Sequence, residues 1–309
     1  MDWGNFTQQL VNGLSLGAIY ALIALGYTMV YGVLRFINFA HGDVFMVGAF
    51  AGLYVHQWLK PLLSFLPDIV SAIIVLLAAM LACAVLGIVI EKLAYKPLRK
   101  RSRLTVLITA IGVSLFLSYS AQLLFGAAPR GFPSLIENKN HVLPGGATVT
   151  SEQVIVLVVT IILLFALRFV VLKTKMGLAM RALSNNPTAA ALMGVNTNAV
   201  ISFTFGLGSA LAGAAGIFFA TLYQAIDPFM GILPGVKAFV AAVLGGIGNI
   251  PGAALGGVLI GLVETLVVGY SNRIGIPSGY RDAVAFVILI LILLFKPSGL
   301  LGKSEREKV

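Results

Sequence analysis

Apolar residues gather in long stretches covering roughly 10–34, 44–59, 69–90, 104–125, 153–172, 199–222, 236–250, 252–269 and 283–295, separated by shorter polar or Gly/Pro-rich connections. Most reach the roughly 20 residues a helix needs to cross about 30 Å of hydrocarbon, whereas 44–59, 236–250 and 283–295 fall short. The pattern predicts an all-α, polytopic helical membrane protein with about seven to nine membrane segments, some of them interrupted or re-entrant. The opening MDWGNFTQQ lacks the basic stretch of a cleaved signal, so the first apolar run is expected to remain as a helix.

Two of these stretches are broken by polar or helix-opposing residues. In NFAHGD, Asn38 and His41 sit three apart and would share a helix face, while Asp43 would cap a new helix from Val44, with a break at Gly42. Such residues form either a satisfied interhelical pair with a cap, or polar groups on a broken helix that face a pathway. His56 and His141 are placed in loops on the other side, which leaves His41 without metal-ligating partners.

In VLGGIGNIPGAALGG (243–257), Gly248, Asn249 and Pro251 oppose a continuous helix, because proline lacks an N–H and glycine loosens the backbone. Interruptions in both halves of a membrane chain point to a transport pathway, or else to kinks that touch no substrate. Glu264, inside the run 252–269, must be paired, protonated or facing water. Region 236–269 either dips and returns or crosses twice.

Composition fixes the class: 59% of the 309 residues are hydrophobic and 10% charged, far from a soluble domain. The formal charge of +10 raises the question of nucleic acid, which its distribution answers. Lys92, Lys96, Arg99, Lys100, Arg101 and Arg103 crowd one loop, which the positive-inside rule places in the cytoplasm. Alternation then puts Arg35, Arg168, Lys173, Lys175, Arg181, Lys296, Lys303, Arg306 and Lys308 on the same side, with the N-terminus outside and the C-terminus inside. Lys60, Arg130, Lys139, Lys237, Arg273 and Arg281 fall outside, balanced by Asp2, Asp68, Glu137, Glu152, Asp227 and Asp282. The excess is a topology signal, and no nucleic-acid partner is implied.

The lone Cys83 excludes an internal disulfide and reads as a packing residue. Pairs at four-residue spacing, Gly13/Gly17, Gly48/Gly52, Gly252/Gly256 and Gly257/Gly261, suit close helix packing in lipid. The stretch 126–152, rich in Pro, Gly and Asn, is expected to form an irregular external cap. Residues 173–198 read as two short cytoplasmic helices, MGLAMRAL and PTAAALMGV, the second opened by Pro187 behind Asn186; they would serve as interfacial anchors or as a docking platform. GLLGKS (299–304) ends like a phosphate-binding loop, but position 297 is proline where the motif needs glycine and no strand precedes it.

NGLSLGAIYALIALGYTMVYGVLRFINFAHGD, MGLAMRALSNNPTAAALMGVNT, KAFVAAVLGGIGNIPGAALGGVLIGLVE and KPSGLLG, with the order of apolar runs, resemble the membrane permeases of branched-chain amino-acid ABC importers, LivH type. The resemblance covers nearly the whole chain, least in 60–80 and 126–152. It implies one transmembrane domain over 1–309 in the bacterial inner membrane. It further implies pairing with a LivM-type permease, two ATP-binding cassette subunits that bind ATP and Mg, and a periplasmic binding protein that delivers Leu, Ile or Val. No cofactor is expected in this chain.

The same resemblance makes 173–198 the segment that couples to the ATPase, with Met180, Arg181, Asn186, Pro187, Ala190 and Gly194 as candidates. It also makes Asn38, His41, Asp43, Gly248, Asn249, Pro251 and Glu264 candidates for lining or shaping the route. Permeases of the same family that carry urea or short amides are the nearest alternative. An autonomous, proton-coupled carrier is the alternative from another class, and an enzyme is remote because no nucleophile, base and orienting group recur together.

Overall fold

The computed structural model describes residues 3–63, 65–99, 101–143, 146–271, 275 and 277–302. Asp2, Lys100, Arg273, Lys303, Arg306 and Lys308 of the charge argument, and the end of GLLGKS, lie outside the described residues. The described helices are α1 (Trp3–Leu34), α2 (His41–Leu63), α3 (Asp68–Ile90), α4 (Arg103–Phe125), α5 (Ser151–Lys173), α6 (Lys175–Asn185), α7 (Pro187–Leu192), α8 (Thr197–Tyr223), α9 (Ile232–Gly245), α10 (Ile250–Gly269) and α11 (Arg281–Phe295).

Among the described residues 7 helices are long and apolar enough to cross a membrane: α1, α3, α4, α5, α8, α10 and the helix ending in α11. Two helices stand apart. The polar residues Asp43, His56 and Lys60 lie on α2, and the 14 residues of α9 span only about 21 Å. This is the polytopic helical membrane architecture that the apolar pattern predicts.

α1 runs through the middle, buried from Gly13 to Val30 apart from Leu14, and packs chiefly along α10, α8 and α9. Small residues permit that packing. A methyl on Gly17 would lie 2.7 Å from Val258 Cα, so α1 and α10 meet backbone to backbone. Around this core, α3, α4, α5 and α11 turn Leu81, Leu123, Phe165 and Leu294 outward, as helices facing lipid do.

One end of the bundle, here the basic end, carries a π-helical turn at Glu91–Tyr95 and a 3-10 turn at Lys96–Leu98, with α6 and α7 beside them. The opposite end is capped by short strands. β1 (Arg130–Gly131) pairs antiparallel with β4 (Ala225–Ile226), and β2 (Asn140–Val142) with β3 (Thr148–Thr150). The 126–152 cap is therefore more ordered than its composition predicts. Gln8 exchanges hydrogen bonds with the Thr148 backbone at 2.7 and 3.0 Å, Glu152 accepts from Ser134 and Asn138, and Phe132 is buried. His141 lies in β2 and His56 in α2, so His56 is helical where a loop was expected.

Candidate translocation site

α1 ends at Leu34, with Arg35 in the left-handed region at φ 58°. The chain then folds back into the protein before α2 begins: the His41 ring touches Gly26, about 12 Å inside the end of α1. The break thus falls at 35–40, earlier than Gly42. Asp43 lies in the first turn of α2, whose Val44 N–H bonds to the Ala40 carbonyl at 3.1 Å, so Asp43 is not the cap of a helix starting at Val44. Asn38 lies in the linker, and so it shares no helix face with His41.

All three polar residues are buried and held by different neighbours. Asn38 accepts from the Tyr95 hydroxyl at 2.6 Å, from the π-helical turn after α3. Asp43 accepts from Ser118 Oγ of α4 at 2.5 Å. His41 stands edge-on to Tyr27 with centroids 4.9 Å apart, and its Nε2 has no hydrogen-bond partner among the described residues. Since Asp43 is engaged by Ser118 and His41 by Tyr27, they do not form an acid–base pair.

α9 also begins inside the bundle, against α2. A methyl on Gly42 would lie 2.5 Å from the Gly231 carbonyl oxygen and 3.1 Å from Gly235 Cα, so the two interrupted helices meet N-terminus to N-terminus through glycines. Such ends bring the partial positive charge of unpaired backbone N–H groups into the interior. Interrupted helices of this kind are tolerated at membrane depth only within protein or along a cavity.

Gly248, Asn249 and Pro251 occupy a separate place, the α9–α10 turn at the basic end. Gly246 and Gly248 take φ 103° and 91°, which only glycine adopts freely. Asn249 caps α10 by accepting from Gly252 N–H at 3.1 Å, and Pro251 sits in the first turn, where its missing N–H costs nothing. The interruption expected in 243–257 is present as a turn between two helices. The C-terminal segment fastens it: Leu300 and Leu301 N–H bond to Leu244 and Gly245 carbonyls at 2.8 and 3.1 Å, and Asn249 Nδ2 donates to Leu301 O at 2.7 Å.

Glu264 belongs to a third cluster. It accepts from Tyr20 at 2.8 Å, pairs with Lys237 at 2.8 Å and lies 3.5 Å from Arg281, while Lys237 reaches Asp282 at 2.6 Å. Lys237, at 3% exposure, is a buried α9 residue rather than an external charge. Of the alternatives open for Glu264, pairing is the one realised. A lysine inside one apolar run and a glutamate inside the next was the signal that sequence reasoning left unused. Glu91 was likewise missed: fully buried, it accepts from Ser202 at 2.6 Å and from Arg99.

The 173–198 segment forms the two short helices that its pattern predicts. Asn186 caps α7 through Ala189 N–H at 3.0 Å, ahead of Pro187. Met180 and Ala190 face inward and fix the helices to the bundle, whereas Arg181, Asn186, Pro187 and Gly194 are exposed. Leu178 on α6 and Leu192 and Met193 at the end of α7 are large apolar residues that this segment leaves exposed, the last two at 83% and 84%.

A polytopic bundle with two interrupted helices meeting at its centre and a helical platform at its basic end defines a membrane permease component. Residues 9–293 match the family model described as "Branched-chain amino acid transport system / permease component", and the chain belongs to that family. It is 40% identical over 317 residues to the high-affinity branched-chain amino acid transport system permease protein LivH of Escherichia coli (strain K12), covering 98% of each chain. It is 41% identical over 310 residues to the permease protein BraD of Pseudomonas aeruginosa, covering 99% of this chain and 98% of that one. Among solved structures, PsaBC from Streptococcus pneumoniae in complex with Fab aligns over 93% of this chain and 91% of that one, with TM-score 0.47 and 14% identity.

Proposed function

We propose that this chain is a translocation subunit of an ATP-driven importer for the branched-chain amino acids Leu, Ile and Val. The observation that carries the reading is the glycine-lined meeting of the α2 and α9 N-termini inside the bundle, where a passing solute would find helix ends rather than a closed helix wall. Names of relatives at 40% and 41% identity supply the substrate class.

In this reading the basic end, with Lys92, Lys96, Arg99, Arg101, Lys173 and Lys175, faces the cytoplasm of a bacterial inner membrane, and the N-terminus lies outside. α6 and α7 dock on a cytoplasmic ATPase through Leu192 and Met193. A second permease of LivM type and two ATPases complete the membrane assembly, and a periplasmic binding protein supplies the amino acid. ATP and Mg are held by the ATPases, and this chain brings no cofactor of its own.

Affinity purification of the tagged chain from native membranes tests the assembly. Co-purification of a second permease and two ATP-binding subunits is the expected result. A chain that purifies alone and transports alone would overturn the reading in favour of an autonomous carrier.

A further inference from the structure

A cavity of about 540 Å³ opens at the end opposite the basic one, where the last turns of α2, the start of α3, the cap and the end of α8 converge. Its volume falls within the roughly 300–1,000 Å³ of small-molecule sites. Polar side chains enter it from different elements: the imidazole of His56 and the ammonium of Lys60 from α2, and the carboxylates of Asp68 from α3 and Glu137 from the cap. Lys60 and Asp68 form no ion pair among the described residues, and His56 Nδ1 is buried without a hydrogen-bond partner. Gln224, which also lines the cavity, is the left-handed residue that ends α8, and its carbonyl accepts from the Phe132 N–H of the cap at 3.1 Å.

The cavity has an apolar side as well. Leu135 and Ile136 form part of its wall and also part of the wall of a neighbouring groove of about 260 Å³, lined by Ile69, Leu76 and Phe218. A solute with a doubly charged head and an oily tail therefore meets opposed charges on one side and apolar surface on the other. α2 then runs about 22 Å from His56 down to His41, linking this cavity to the interior junction.

We propose that this cavity is a receiving site for a zwitterionic α-amino acid, its carboxylate directed to Lys60 and His56, its ammonium to Asp68, and its apolar side chain to Leu135 and Ile136. The inference rests on the importer reading for its substrate class, and deepens it by naming where the solute first contacts this chain.

The test uses the assembled complex in lipid nanodiscs without binding protein, carrying Gln57→Cys as reporter. Gln57 is exposed and lines the adjoining cavity with His56 and Lys60, while the native Cys83 is buried. The rate of alkylation by a water-soluble maleimide is measured with L-leucine, L-leucinamide, 4-methylpentanoate or urea. L-leucine is expected to slow alkylation several-fold, the other three to leave it unchanged, and Lys60→Gln or Asp68→Asn to remove the protection at unchanged complex yield. An L-leucine rate equal to the ligand-free rate, protection by urea as strong as by L-leucine, or protection that survives both substitutions would overturn the site. Equal protection by L-methionine and L-phenylalanine, zwitterions with unbranched or aromatic apolar side chains, would support the site and count against the branched-chain reading alone.

Discussion

The imidazole of His41 occupies the space that a side chain on Gly26 would take: a Cβ built at residue 26 collides with Nε2 and Cε1 of the ring. The lack of a side chain on α1 is thus what lets α2 begin deep in the bundle.

Gly26→Ala is therefore expected to destabilise the protein by about 1–3 kcal/mol, the usual cost of overpacking. The double variant Gly26→Ala/His41→Ala should recover part of the thermal stability, because the colliding ring is gone while the Gly208 carbonyl oxygen, 3.0 Å from the new Cβ, remains. His41→Ala alone is expected to keep the complex but lower uptake. Thermal unfolding and uptake, measured on the same preparations, separate these outcomes; equal losses in both for His41→Ala would reduce the residue to packing.

Lys237 is the counter-charge of Glu264 and Asp282. Lys237→Met leaves the buried Glu264 carboxylate with the Tyr20 hydroxyl as donor and only the half-exposed Arg281 as counter-charge, and removal of one partner from a buried pair costs about 3–5 kcal/mol. Lys237→Met/Glu264→Gln should be milder than Lys237→Met. A single variant as stable as the wild type would show that the cluster contributes nothing.

Tyr95→Phe removes the donor to Asn38 and leaves a buried amide oxygen unsatisfied, at a cost of about 1–3 kcal/mol. The aromatic packing of residue 95 against Phe36 and Phe205, at 5.2 and 5.5 Å, is kept, so the loss isolates the hydrogen bond. Unchanged melting temperature for Tyr95→Phe would contradict it.

At α7 two substitutions are expected to differ. Leu192→Asp changes an exposed residue and should leave insertion intact while weakening ATPase association; Ala190→Asp buries a charge and should lower the yield of the folded chain itself. Size-exclusion of the co-expressed complex distinguishes the two, and identical profiles would remove the docking role from Leu192.

Much of this fold was legible in the sequence because lipid imposes length and composition on each span. The apolar runs, the break at 246–249 and the Asn186–Pro187 start of α7 are local features, written in glycine, proline and capping residues. What escaped was long-range. NFAHGD announced a break, but that α2 starts beside Gly26 depends on α1, α2 and α9 packing together. Lys237 looked like a charge at the edge of a span, and only the approach of α1, α10 and α11 makes it a buried partner. His56 was expected in a loop, yet α2 continues through it, Lys60 and Pro61 to Leu63.

The most direct measurement is amino-acid uptake into proteoliposomes containing this chain alone, or the chain with its second permease, ATPases and binding protein. The account predicts that the chain alone is inert, with or without a proton gradient, and that the full assembly takes up leucine only when ATP is supplied. Leucine uptake by the chain alone, driven by a proton gradient, would contradict it.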